Sequence, residues 1–101
     1  MMLRAIEKSI SKLSIHTPGG FEKRDYTPAE KKKVLDYMKS IEPCASCGRI
    51  FDCEKLKDTE LENVGFDDGS FIWTSQDRYH VDRYNAAVTN AFIDHINAVL
   101  A

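Results

Sequence analysis

Asp67-Asp68-Gly69 lies between Leu61, Val64 and Phe66 on one side and Phe71-Ile72-Trp73 on the other, and this arrangement limits the fold more than any other. An Asp-Gly pair between apolar, β-prone runs predicts an antiparallel hairpin, because glycine takes the positive φ of the turn without steric cost. After Trp73, Thr74 or Ser75 can cap a helix whose early Asp77 suits the positive end of the helix dipole. Val81, Tyr84, Val88, Phe92, Ile96 and Val99 then recur at helical spacing, as one long helix or as two with a break near 85–89.

Upstream the pattern is helical. Leu3, Ile6, Ile10 and Leu13 predict an amphipathic helix over 2–14, ended by Pro18-Gly19-Gly20. Thr27 as N-cap, Pro28 at the first helical position and Glu30 as the partner of a capping box start a second helix. Val34, Leu35, Met38 and Ile41 form its buried stripe, Lys31-Lys32-Lys33 lie on its solvated side, and Pro43 stops it. Arg49-Ile50-Phe51 reads as a brief strand. The expected class is therefore α+β: two N-terminal helices, a small antiparallel sheet with a hairpin at Asp68-Gly69, and one or two C-terminal helices packed on the sheet. A chain of 101 residues makes this a single domain over 1–101 with one core. Leu3, Ile6, Ile10, Leu35, Met38, Phe71, Trp73, Val81, Val88, Phe92 and Ile96 are its expected members.

Charge is unevenly distributed. Through Glu42 there are nine Lys or Arg against six Asp or Glu, and from Pro43 onward five against ten. Asp52, Glu54, Asp58, Glu60, Glu62, Asp67 and Asp68 fall in one short span, which reads as solvated loop and edge residues or as a docking face for a basic partner. Such a surface repels nucleic acid, and three lysines on one helix are a weak footprint for binding it. No run approaches the roughly 20 apolar residues of a membrane span, and Met1 to Ile15 lacks the apolar core of a signal peptide. The expected location is the cytoplasm, in keeping with an odd number of cysteines.

Cys44-Ala45-Ser46-Cys47-Gly48 has the spacing of half a zinc knuckle, and a structural zinc takes four ligands. Cys53, His80 or His95 could complete it if the fold gathers them; the set considered is Cys44, Cys47, Cys53 and His80. The other reading of Cys53 is a small buried hydrophobe, and of His80 and His95 half-buried side chains hydrogen-bonded in the core. No P-loop, GxSxG or HExxH is present, and no nucleophile, base and orienting group are visible as a set. Trp73, Tyr79, Arg83 and Tyr84 are of the types most used as binding anchors, or else Trp73 and Tyr84 fill the core.

The CxxCG of 44–48 followed by Asp68-Gly69-Ser70-Phe71-Ile72-Trp73 and the Tyr79-His80 helix resembles a family of small, largely uncharacterised bacterial proteins with CxxCG, DG-x-x-x-W and a short HY-type helix. The resemblance spans 44–48 and 68–96. In that family a proline commonly opens the last helix; Thr89 in its place favours two helices. Tyr79 and Tyr84 stand where the family tends to carry histidine, a departure that weakens any metal site the resemblance would imply, and the family carries no agreed activity to transfer.

The functional expectation is a non-catalytic cytosolic protein-binding module, of the immunity or antitoxin type, which covers a basic toxin through Asp67, Asp68, Trp73, Tyr79 and Arg83. The alternative is a small zinc-stabilised regulatory or scaffold domain built on the CxxCG, with no cofactor in the first reading and zinc in the second.

Overall fold

The computed structural model describes residues 21–101. Its elements are α1 (Pro28–Ser40), β1 (Pro43–Asp52), β2 (Lys57–Asp67), β3 (Ile72–Thr74), α2 (Ser75–Tyr84) and α3 (Asn90–Val99). The strands form an antiparallel sheet in the order β1-β2-β3. The α+β class therefore holds, with one helix before the sheet and two after it among the described residues. The helix expected over 2–14, with Leu3, Ile6 and Ile10, lies outside the described residues.

Helix α1 starts where its cap requires. The Thr27 hydroxyl accepts from the Glu30 N–H at 3.1 Å, but Glu30 does not close the box. Its carboxylate pairs with Arg24 instead, at 3.2 Å. Ile41 leaves the helix in extended conformation, two residues before Pro43.

The β2–β3 hairpin turns at the expected place. Asp67 pairs with Ile72, Gly69 takes φ +94°, and Asp68 accepts from the N–H of Ser70 (2.8 Å) and of Phe71 (2.6 Å). A second hairpin, β1–β2, was not foreseen. Its loop, Cys53-Glu54-Lys55-Leu56, has neither glycine nor proline. Asp52 does the turning: its Oδ1 accepts from the N–H groups of Glu54 (3.0 Å) and Lys55 (2.8 Å), an Asx-type closure. Leu56 ends the loop at φ 55°, a left-handed conformation that costs a side-chain-bearing residue about 1 kcal/mol. Since Leu56 is 58% exposed, Leu56→Gly is expected to be neutral or to stabilise by up to about 1 kcal/mol, read as an unchanged or raised urea midpoint. A drop in midpoint would show that Leu56 contributes packing that outweighs its strain.

The stretch expected as a knuckle followed by a three-residue strand is one irregular ten-residue strand. Its register with β2 shifts between Pro43 and Ala45, between Ser46 and Arg49, and between Arg49 and Phe51. Gly48, at φ +93°, supplies the backbone freedom for the middle shift. The CxxCG thus bends a sheet edge.

Helices α2 and α3 are separate. Asn85 closes α2 in left-handed conformation (φ 57°), and the Thr89 hydroxyl opens α3 by accepting from Phe92 N–H at 3.1 Å. The intervening chain pairs with 22–24, through Arg24 N–H to Asn85 O and Ala87 N–H to Glu22 O, both 2.8 Å. Tyr26 adds its hydroxyl to Ala86 O at 2.6 Å. Helix α2 packs on all three strands, and α1 packs on α2 and α3.

Val34, Leu35 and Met38 of α1, Phe66 and Trp73 of the sheet, and Val81, Val88, Phe92 and Ile96 from the C-terminal half are buried together. Phe71 packs at the margin of this core rather than inside it. Tyr37 and Ala86 belong to it without having been expected. Trp73 is at its centre, ring to ring with Phe66 (5.9 Å), Tyr37 (6.1 Å) and Phe92 (5.4 Å).

Candidate functional site

Two carboxylates organise the polar interior. Asp52 is fully buried. While Oδ1 holds its own loop, Oδ2 accepts from the Tyr79 hydroxyl at 2.6 Å and the Tyr84 hydroxyl at 2.7 Å, both on α2. Burial alone would push this carboxyl up, but the bonds from Tyr79, Lys55 N–H, Tyr84 and Glu54 N–H outweigh it and hold the group below the usual carboxylate range. The bond to Asp52, with burial, pushes Tyr84 up to about 12; burial and then Asp52 push Tyr79 up as well.

Beside this node, α2 is fastened to β1 through side chains that mimic a strand. Gln76 donates to Phe51 O and accepts from Phe51 N–H, each at 2.8 Å. Its own N–H is taken by Asn63 of β2 at 2.8 Å. His80 accepts the Cys53 N–H at Nε2 (2.9 Å), which puts its proton on Nδ1, facing Gln76 O at 2.8 Å. Burial and the neighbouring Asp52 push the Cys53 thiol up, so it stays protonated and unreactive.

Asp68 is the second node. Besides closing its own turn, it accepts at Oδ2 from the Tyr37 hydroxyl (2.5 Å) and lies 2.9 Å from His95 Nε2. It thereby joins α1, the β2–β3 loop and α3. Burial acts against ionisation here too, and the bonds from Tyr37, Phe71 N–H, Ser70 N–H and His95 overcome it, lowering the carboxyl. Burial first, then Asp68, raises Tyr37.

The pH dependence follows from these signs. Asp52 and Asp68 bind protons less readily when folded, so their contribution is complete above about pH 4 and disappears as pH falls through their lowered values. Tyr84 is raised, so its contribution is complete below about pH 10 and disappears as pH rises through about 12. Urea midpoints between pH 7 and 2 are expected to fall below about pH 4 in the parent and to fall less steeply in Asp52→Asn; equal slopes would show that other groups drive acid unfolding.

The residues singled out in the sequence are not gathered in one place. Cys44 is exposed, with its thiol 3.4 Å from Gly65 O. Cys53 is buried at the other end of β1 against His80, so the structure does not bring Cys44 to Cys53 and His80, and both His80 ring nitrogens are occupied. Among the described residues no group of three or more His, Cys, Asp or Glu is arranged to hold a metal. Trp73 has no exposed surface, which corrects its expected role as a partner anchor: the large apolar ring is used in the core. Asp68 is likewise turned inward. Asp67 and Arg83 are exposed, and Tyr79 is half-buried. The Arg83 guanidinium lies over the Tyr79 ring at 5.0 Å.

A groove of about 310 Å³ opens where α1, β1, β2 and α2 meet, lined by Lys39, Ile50, Leu61, Glu62, Ser75, Arg78, Tyr79 and Asp82, two cations and two anions. Leu61 is 50% exposed there. Sequence reading missed this place, although Leu61 between Glu60 and Glu62, an apolar residue in an acidic run, was its visible sign. No helix among the described residues is long and apolar enough to cross a membrane. The chain matches no family model, no curated protein and no solved structure.

Proposed function

We propose that this chain is a protein-binding module whose target is a basic protein, of the kind an immunity or antitoxin inhibitor covers. The observation that carries the reading is the state of its carboxylates. Asp52 and Asp68 are spent inside the fold, whereas Asp58, Glu60 and Glu62 of β2 and Asp82 of α2 are exposed and make no ion pair among the described residues. Unpaired acids on a rigid ribbon raise the rate of encounter with a cationic surface and lose that effect as salt is added. By contrast Lys31, Lys32 and Lys33 have intramolecular partners in Asp82 O, Asp36 and Asn97.

The test is association kinetics against the basic proteins encoded beside this chain in its genome. For a true partner, Asp58→Lys, Glu60→Lys and Glu62→Lys combined are expected to slow association by about tenfold at low salt, with a smaller change in dissociation. Absence of micromolar binding by every such protein, or unaltered association by the triple variant, rejects the reading.

A further inference from the structure

We infer that the groove between α1 and α3 is the docking place of this chain's own segment 2–14, through Leu3, Ile6, Ile10 and Leu13. The groove has a volume of about 250 Å³ and an apolar lining of Ala29, Val34, Ile93 and Ile96. Val34 and Ile96 are buried and make its floor, while Ile93 is half-buried and Ala29 exposed. On α3 the line continues from Ile93 through Asn97 to Leu100, at steps of four and three residues. Leu100 is 56% exposed. The volume is below the about 300–1,000 Å³ of small-ligand pockets, so there is room for side chains rather than for a whole ligand. Charge does not choose the occupant. Glu30 at the rim is paired with Arg24 at 3.2 Å, and Lys33 donates to Asn97 on the other wall at 2.9 Å.

The path of the chain does. Arg24 bonds Glu30 in the first turn of α1 and Asn90 at the start of α3 (2.9 Å), so it stands where both walls begin. Lys23 pairs with Ala86 antiparallel and Glu22 O accepts from Ala87 N–H, so toward residue 21 the chain heads the way that leads to Thr89 and α3. Ten residues separate Ser14 from Arg24, a reach of up to about 33 Å, whereas Ala29 to Val34 spans only about 8 Å of helix. A free partner has to offset about 4–15 kcal/mol of lost freedom, and a groove of this size contributes little toward it. A segment joined by a short linker meets the groove at an effective concentration of millimolar order. The segment's sequence suits the place: Leu3, Ile6, Ile10 and Leu13 share one side at helical spacing, and Arg4, Lys8 and Lys12 share the other. With the tether at the start of both walls, Leu13 and Ile10 lie over Ala29 and Ile93, and Ile6 and Leu3 reach toward Leu100.

The test uses the full chain with isotope-labelled isoleucine, leucine and alanine methyls. Nuclear Overhauser cross-peaks are expected from Ile10 and Leu13 to Ala29 and Ile93, and from Leu3 to Leu100. Ile10→Glu is expected to remove them and to move the amides of Ala29, Lys33, Ile93 and Asn97, while those of β2 and α2 stay in place. An equal mixture of labelled and unlabelled chains separates the chain's own segment from that of a second copy: cross-peaks that pass an intermolecular filter overturn the inference. So does an absence of cross-peaks between these methyls and the groove in the parent, and so do amide shifts of Ile10→Glu confined to other elements. None of these results touches the carboxylates of β2, so the basic-partner reading stands or falls separately.

Discussion

Asp52→Ala is expected to cost about 3 kcal/mol or more, because it strands the hydroxyls of Tyr79 and Tyr84 and the N–H groups of Glu54 and Lys55 at once. The two loop N–H groups can turn to water, so most of the loss arises where α2 meets the hairpin. Asp52→Asn retains an acceptor for the loop and lets the tyrosine hydroxyls rotate, and is expected to cost about half as much. Urea unfolding followed by circular dichroism checks both. The decisive measurement is the double-mutant cycle with Tyr84→Phe, where a coupling of about 1 kcal/mol or more is expected. A coupling near zero would mean that the Asp52–Tyr84 bond is idle in solution.

Trp73→Ala is expected to cost about 3–5 kcal/mol, a large part of the about 5–15 kcal/mol that holds a domain folded. Its ring fills the space among Phe66, Tyr37 and Phe92 and has no exposed surface. Trp73→Phe separates shape from polarity. The indole Nε1 is buried with no hydrogen-bond acceptor among the described residues, so phenylalanine removes an unmatched donor along with some volume. The two effects oppose, and the cost is expected to stay below about 1.5 kcal/mol. A loss as large as that of the alanine variant would reveal an acceptor for Nε1.

The parts of this fold that were legible in the sequence are those fixed by local chemistry. Thr27-Pro28, Asp68-Gly69 and Thr74 with Asp77 each determine their own turn or cap within four residues, and each is found where expected. The α2–α3 break was legible as one of two alternatives, and Asn85, a residue that tolerates left-handed backbone, decides it. The β1–β2 hairpin was not legible. Its turn uses Leu56 in a conformation leucine disfavours, and its stability is drawn from Tyr79 and Tyr84, 27 and 32 residues away. Such distant support leaves no mark in a local window. The site divided in the same way: residue type marked Trp73 as an anchor, but type does not say which large ring the core requires. Leu61 and Glu62 define a groove only because α2 folds back over β2.

The bent rim of the sheet has a consequence for how this molecule meets others. β1 is an outer strand, and its outer N–H and C=O groups would ordinarily invite a neighbour's backbone to zip alongside. Three breaks in its pairing, one of them centred on Gly48, spoil the even spacing such zipping needs. Lateral stacking of chains along this edge is thereby discouraged.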